Sequence, residues 1–362
     1  MKFNKGIAKI FISLSLLGSV LGLASCNNDD EPKPNVETTV AEDRQNIQNS
    51  MDAMVDCMAN LKNGRAVDVL FRGFLGLSEG EIFNENWLEN VLEGLDDVIV
   101  TDNIDENNRF DIKYYAGTYT YNISNSTWTR VNDLEDKLVF KFPSNPEATT
   151  NDAVLTFGGY SDAAAVIGEE TLYLPIKASM SLEVAGEKIL GMDLNQVSYD
   201  SNGDFDIPVK IDFEVYINPF TISYTMDRTT TKEFAMNLSM SDPNNCSMSL
   251  DIKTKLNTDD YENLTEENVE SVTVVLKAND LTIQSLEGIA ELIKMEEPTA
   301  NDINQLLNID VLFKDIKIAD LKWDESGETM VIFYKDGTSE DTKNFYEEFI
   351  EDIEALFDEF FG

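Results

Sequence analysis

Alternating residues between positions 172 and 184 constrain the fold more than any other feature of this sequence. The apolar members take every second position, and they are Leu172, Leu174, Ile176, Ala178, Met180, Leu182 and Val184. The positions between them include Lys177, Ser179, Ser181 and Glu183. Successive side chains of a β-strand point to opposite faces, so this period of two predicts a strand with one buried face and one solvated face. Such a strand needs neighbouring strands, and the body of the chain is therefore predicted to be a β-sheet.

The same alternation recurs through the middle of the chain. Further apolar runs of this period span residues 138–142, 209–217, 222–226, 234–240, 246–252 and 272–276. Short connections between about ten such strands predict an antiparallel meander. The apolar set changes phase near Val197, which predicts a β-bulge. Because strands twist, so long a sheet is expected to curl, close or split into two layers.

Three stretches have a helical pattern instead. Residues 41–100 form a predicted helical lead-in, and its clearest part places Ile47, Met51, Met54, Met58 and Leu61 on one face. A short helical insert is predicted near residues 285–308, within a sheet body of residues 101–335. Residues 336–362 combine an aromatic stripe with an acidic face and predict an amphipathic helix. The predicted class is therefore α+β: a long, curved, half-barrel-like antiparallel sheet with N-terminal helices and a C-terminal helix packed on it.

The N-terminus has the layout of a secretory signal. Lys2, Lys5 and Lys9 precede an apolar run over residues 10–23, which is too short for a membrane span of roughly 20 residues. Small residues then lead to Cys26, and the acidic, proline-containing stretch that follows cannot bury itself. Residues 1–25 are predicted to be a signal peptide, and residues 26–40 a solvated tether.

A resemblance to a known class of proteins gives this N-terminus a more specific meaning. Leu23-Ala24-Ser25-Cys26 resembles the bacterial lipobox, and the acidic run after it resembles the export signal of Bacteroidota surface lipoproteins. The hairpin of residues 117–128 and the strand block of residues 173–222 look like those of the same lipoproteins. The resemblance implies an acylated Cys26 that holds the chain in the lipid bilayer of the outer membrane, facing the cell surface, with the periplasmic face as the alternative. It supplies no catalytic residue.

Composition excludes several functions. The chain has 27 basic and 68 acidic residues, a net charge of −41, so it lacks the basic surface through which proteins bind nucleic acid. It contains no histidine, which rules out Ser-His and Cys-His catalysis and removes a common metal ligand. We therefore predict a protein that is not an enzyme and that uses no cofactor.

The cysteines other than Cys26 allow two interpretations. Cys57 and Cys246 each stand at an apolar-face position of their segment. Buried free cysteine behaves as a small apolar residue, and two separate buried thiols are the favoured interpretation. A disulfide between them, as exported proteins commonly form, is the alternative.

One acidic loop resembles a calcium site. Its candidate ligands are Asp200, Asn202, Asp204 and Asp206, because calcium prefers several oxygen ligands. An EF-hand loop needs glycine at its sixth position and glutamate at its twelfth, where this chain has Phe205 and Ile211. Asn-Gly between two alternating runs favours a hairpin turn, so no metal site is predicted.

The positions of four methionine residues suggest the most specific function. Met180, Met236, Met240 and Met248 fall on the apolar phase of predicted strands, and flexible thioethers suit changeable apolar space. They are predicted to line a site for an apolar, lipid-like ligand in the concave face of the sheet, with an ordinary core as the alternative. A glycan-uptake accessory, with Trp128 and Tyr119 as its aromatic platform, and a fimbrial structural subunit are the other functions that the resemblance suggests.

Overall fold

The computed structural model is rich in β-structure. It describes residues 38–62, 64–67, 69, 91, 93, 95, 109–167, 170–200, 208–244, 246–261, 263–324 and 329–345. The chain forms two compact units. The terminal unit comprises Met1–Ala59 and Met226–Gly362, and the central unit comprises Asn60–Thr225.

Sixteen strands of the described residues belong to one sheet, which agrees with the predicted sheet body. They are β1 Gly117–Asn122, β2 Thr127–Val131, β3 Lys137–Phe142, β4 Ala153–Ile167, β5 Glu170–Val184, β6 Glu187–Ser198, β7 Lys210–Ile217, β8 Phe220–Thr230, β9 Glu233–Ser241, β10 Ser247–Leu256, β11 Val269–Ala278, β12 Leu281–Ser285, β13 Ile309–Phe313, β14 Ile316–Asp324, β15 Thr329–Tyr334 and β16 Ser339–Asp341. Their order is that of the chain from β16 to β3, followed by β1 and then β2.

The predicted antiparallel pairing is confirmed from β3 to β7 and from β9 to β16. It is wrong at the other end, where β1 and β3 are parallel and the sheet is mixed. The chain leaves β2 and passes the start of β1, where Asp133 accepts hydrogen bonds from the amide and hydroxyl of Thr118. Gly117 allows this close approach, because a Cβ there would lie 2.5 Å from the carbonyl oxygen of Val131.

Five of the α-helices that accompany the sheet have defined bounds. They are α1 Val40–Lys62, α2 Arg65–Val67, α3 Ile112–Tyr115, α4 Ile289–Ile293 and α5 Ala300–Leu306. The predicted insert near 285–308 is confirmed as α4 and α5, and Thr299 and Asp302 form the capping box that begins α5. Most of the lead-in between residues 70 and 108 lies outside the described residues. No helix among the described residues is both long and apolar enough to cross a membrane.

In the terminal unit, a disulfide joins α1 to the sheet. Cys57 and Cys246 are bonded, with their Cα atoms 5.6 Å apart, so the interpretation as two free thiols is wrong. Both are buried as expected, at 1% and 7% exposure. The sequence pattern places each cysteine on an apolar face, and in the structure the two residues meet. α1 also buries Ile47, Met51 and Met54.

Ion pairs hold the other end of α1. The guanidinium of Arg44 donates to both carboxylate oxygens of Glu340, and Lys335 pairs with the fully buried Asp43. Arg44 lowers the pKa of Glu340 below its ordinary 4.5 mainly through these hydrogen bonds. The resulting stabilisation is complete above pH 4.5 and is lost as the pH falls through the lowered pKa.

The structure corrects the start of the predicted C-terminal helix. Residues 339–341 form strand β16, so the predicted helix of residues 336–362 cannot begin before it. Of its aromatic stripe only Phe345 belongs to the described residues, where it is buried with Arg44 over its ring. Residues 346–362 lie outside the described residues.

The central unit has an aromatic core at one end of its strands. Tyr119, Trp128, Phe140 and their neighbours form it, and Leu182 and Val184 of β5 reach it. Trp128 donates from Nε1 to the carbonyl of Val91 at 2.6 Å. This core covers the ends of the strands nearest the Ala185-Gly186 turn.

Away from the aromatic core, the sheet of the central unit is only partly covered by other structure. All eight residues of β7 are partly exposed, whichever face they point to. A second layer of structure would bury the side chains on the face that it covers, as happens at Leu182 and Val184. Neither face of β7 is therefore fully covered, and apolar side chains remain at the surface.

Candidate functional site

Three strands of the terminal unit place their apolar residues on one face. In the register of β9, β10 and β11, Leu238 pairs with Leu250, which pairs with Leu276. One step along, Met236 pairs with Ile252, which pairs with Val274. We call the partly exposed members of this face the methionine wall: Met236, Leu238, Leu250, Ile252, Val272 and Val274. Direct cross-strand neighbours have Cβ atoms about 5 Å apart, so the wall is a continuous apolar surface.

The methionine wall is bounded at both ends. At one end Met240 and Met248 are direct cross-strand neighbours and are buried, at 5% and 2% exposure. Cys246, just before β10, joins α1 at this end through the disulfide. The wall therefore begins where the covered core of the terminal unit ends.

A tyrosine bounds the other end. The ring of Tyr261 meets that of Phe234 edge to face, with centroids 5.8 Å apart. Arg228 lies over the Tyr261 ring and donates to its hydroxyl at 3.1 Å, and this hydroxyl in turn donates to the Thr231 carbonyl. These contacts fix the ring beside Phe234, which stands next to Met236 on the apolar face of β9.

The reverse face of the same strands is polar. Asn237 donates to Asp251 at 2.8 Å across β9 and β10, and Lys255 pairs with Glu270 at 2.9 Å across β10 and β11. Glu270 raises the pKa of Lys255, mainly through this hydrogen bond. The reverse face therefore carries charged and amide side chains where the methionine wall carries apolar ones.

The central unit has a second apolar surface, which we call the open wall. Its members are Leu172, Leu174, Ile176, Ala178 and Met180 of β5, Met192 and Leu194 of β6, and Phe213 and Val215 of β7. Met180 pairs with Met192, which pairs with Val215. Leu172 is 41% exposed and Met192 is 38% exposed. Near its outer end the hydroxyl of Tyr199 donates to the carbonyl of Pro175 at 3.2 Å.

The structure separates the four predicted methionines into three environments. Met236 lies in the methionine wall, Met240 and Met248 lie in the core beneath its end, and Met180 lies in the open wall of the other unit. Met240 and Met248 are buried and add no exposed surface to the wall. Met180 and Met236 keep the exposure that a lining residue needs.

Other predicted sites receive less support. Cys26, Asn202, Asp204 and Asp206 lie outside the described residues, and only Asp200 of the acidic loop is described. Among the described residues, no group of three or more acidic or cysteine side chains is placed to hold a metal ion. Trp128 and Tyr119 cannot form an exposed glycan platform, because they are 6% and 0% exposed.

Tyr261 was missed at the sequence level. It follows the β10 strand in a polar stretch, Asn257 to Asn263, with no apolar period. A lone aromatic residue in such a stretch was the available signal, because a large apolar side chain in a polar loop usually packs on the nearest apolar surface.

The fold and these walls define a β-rich protein that displays apolar sheet surface in each of its units. No protein-family model, curated protein or solved structure matches the chain.

Proposed function

We propose that this chain is an exported, lipid-anchored binding protein, without catalytic activity, that holds an apolar ligand against the methionine wall. The observation that carries the proposal is the partial exposure of Met236 and its five neighbours beside a fully buried core. Exposed apolar surface bordered by polar residues marks binding sites. Flexible methionine adapts such a surface to ligands of irregular shape.

The bounds of the methionine wall favour a small ligand. Its three strands span about 10 Å, at roughly 4.8 Å between neighbours. Tyr261 closes one end and the core around Met240 closes the other. Small ligands bind where several sides of the molecule are contacted. The proposal has two further parts. The sheet curves toward this face, as in a half-barrel, and the acidic C-terminal helix packs on the same face, so that both enclose the ligand.

Anchoring through Cys26 places this site at a membrane. The lipobox-like residues before it and the acidic tether after it support the proposal of an outer-membrane location. The disulfide between Cys57 and Cys246 agrees with an oxidising compartment. Two or more acyl chains hold a protein stably on a bilayer, whereas one binds only marginally.

Cys26→Ala is expected to abolish incorporation of radiolabelled palmitate into the chain, because it removes the acylated sulfur. Ser25→Ala is the matched control and should retain full labelling, since alanine is also small. Gel autoradiography after expression in a host with a lipoprotein pathway measures both. Equal labelling of Cys26→Ala and the unchanged chain would show that Cys26 is not the anchor.

Met236→Lys is expected to weaken binding of an apolar fluorophore, N-phenyl-1-naphthylamine, by about tenfold or more, because a charge then lies in the methionine wall. Ser239→Lys is the matched control, since Ser239 lies on the reverse face of the same strand and is also partly exposed. Fluorescence titration measures both affinities, and circular dichroism checks that both variants fold. Equal affinities for the two variants would exclude the methionine wall as the site.

A further inference from the structure

The methionines of this chain differ sharply in their access to solvent. Met192 of the open wall is 38% exposed, and Met236 of the methionine wall is partly exposed. Met180 and Met295 are partly exposed as well. Six others are buried, at 6% exposure or less: Met51, Met54, Met226, Met240, Met248 and Met330. An oxidant dissolved in water meets an exposed thioether before a buried one, so oxidation of this chain is expected to be selective.

Met236 is the one sulfur-containing member of the methionine wall. The other five members are leucine, isoleucine or valine, and their hydrocarbon side chains do not undergo thioether oxidation. Further along the same strand Met240 is 5% exposed, and its cross-strand neighbour Met248 is 2% exposed. Oxidation that follows exposure therefore reaches Met236 before it reaches the two methionines in the core at the end of the wall.

The two cysteines that the structure describes do not compete for the oxidant. Cys57 and Cys246 are joined in the disulfide, so neither presents the thiolate that oxidants attack first. The thioether of Met236 is then the reactive sulfur of the candidate site.

A peroxide converts a thioether into a polar group in one balanced step. The sulfur lone pair attacks one oxygen of hydrogen peroxide, the O–O bond breaks, an S–O bond forms and water leaves. Sulfur is oxidised to the sulfoxide, and the peroxide is reduced to water. The direct cross-strand neighbours of residue 236 are Ile252 and, beyond it, Val274, whose side chains have no donor for the new oxygen. A ligand on the wall desolvates that oxygen without compensation, and this costs binding energy.

We propose that Met236 is a peroxide-sensitive modification site, and that its oxidation makes the methionine wall partly polar and releases the apolar ligand. The inference rests on the proposed function, because it assigns a regulation to the same site. Methionine sulfoxide is a reversible product, since dedicated reductases restore the thioether. The change is therefore suited to a switch.

The test is mild treatment of the full chain with hydrogen peroxide, removal of the peroxide with catalase, and titration with N-phenyl-1-naphthylamine. The affinity of the unchanged chain for this fluorophore is expected to fall about tenfold after treatment. Peptide mass spectrometry is expected to find sulfoxide at Met192 and Met236 but not at Met240 or Met248. Circular dichroism should be the same before and after treatment.

Two leucine variants assign the effect to one sulfur. Leucine replaces methionine with little change of volume, and each variant is compared with its own untreated sample. Peroxide should leave the affinity of Met236→Leu where it was. Met192→Leu is the matched control and should lose affinity as the unchanged chain does, because Met192 lies in the open wall.

Several outcomes would overturn the switch alone. They are fluorophore binding that survives oxidation of Met236, an equal loss of affinity in treated Met236→Leu, a Met236 that stays reduced while Met192 is oxidised, and loss of the fold on treatment. Absence of fluorophore binding before any treatment would instead refute the proposed function, and the switch with it.

Discussion

Replacing Cys57 with alanine is expected to lower the free energy of unfolding of the terminal unit by up to about 5 kcal/mol, because the bond closes a very long loop. The two cysteines are 189 residues apart in sequence. A covalent link of that length removes much of the conformational entropy of the unfolded chain, which in the loop-closure model is worth about 5 kcal/mol.

A double-mutant cycle separates the bond from the side chains. Cys57→Ala, Cys246→Ala and the double variant should be nearly equal in stability, because either single change already breaks the bond. Guanidinium unfolding, followed by circular dichroism without reductant, measures all three against the unchanged chain. Two small effects that add in the double variant would mean that the cysteines act as separate buried side chains, as their sequence positions first suggested.

The cysteine pairing illustrates what the sequence could not predict. Periodicity places Cys57 on the apolar face of α1 and Cys246 at the apolar phase of β10, and both are buried. Whether they bond depends on how a helix lies against a strand far away in the chain. Their Cα separation of 5.6 Å falls within the range that a disulfide needs, and no local pattern encodes that distance.

Local patterns predicted much of the sheet. The alternation in β5 and the phase change before Val197 correspond to a real strand and to the register shift between Leu194 and Gln196. The turn between β5 and β6 is equally local, and both of its residues, Ala185 and Gly186, have positive φ. These features depend on residues close together in the chain, where side-chain period and turn chemistry act directly.

Long-range features were less predictable. The parallel contact of β1 with β3 arises because the chain after β2 passes β1, and the period of two is the same for parallel and antiparallel neighbours. Likewise, alternation identifies the apolar face of a strand but not whether another layer covers it. Met236 and Met248 share that phase, yet one is partly exposed and the other is 2% exposed. The candidate site was therefore predictable in residue type but not in extent.

Gly288→Ala is expected to destabilise the terminal unit by about 3 kcal/mol or more. The backbone of this glycine has a left-handed conformation, and there is no space beside its Cα for a methyl group. It precedes α4 with φ of +84°, and a Cβ there would lie 1.8 Å from the carbonyl oxygen of Leu306. Alanine must therefore adopt a left-handed conformation and also displace the end of α5. Since α5 contacts β14, that displacement would disturb packing on the sheet.

Gly337→Ala is the control that measures the backbone part of this effect without the steric part. Gly337 has nearly the same φ, +86°, but nothing lies within 4 Å of the Cβ that alanine would add. Its substitution should therefore cost only the backbone term, about 1 kcal/mol. Thermal unfolding of both variants gives the comparison, and the larger loss at Gly288 measures how tightly the end of α5 is held. Equal losses would mean that α5 moves away freely, in which case the contact between Gly288 and Leu306 does not fix the two helices against each other.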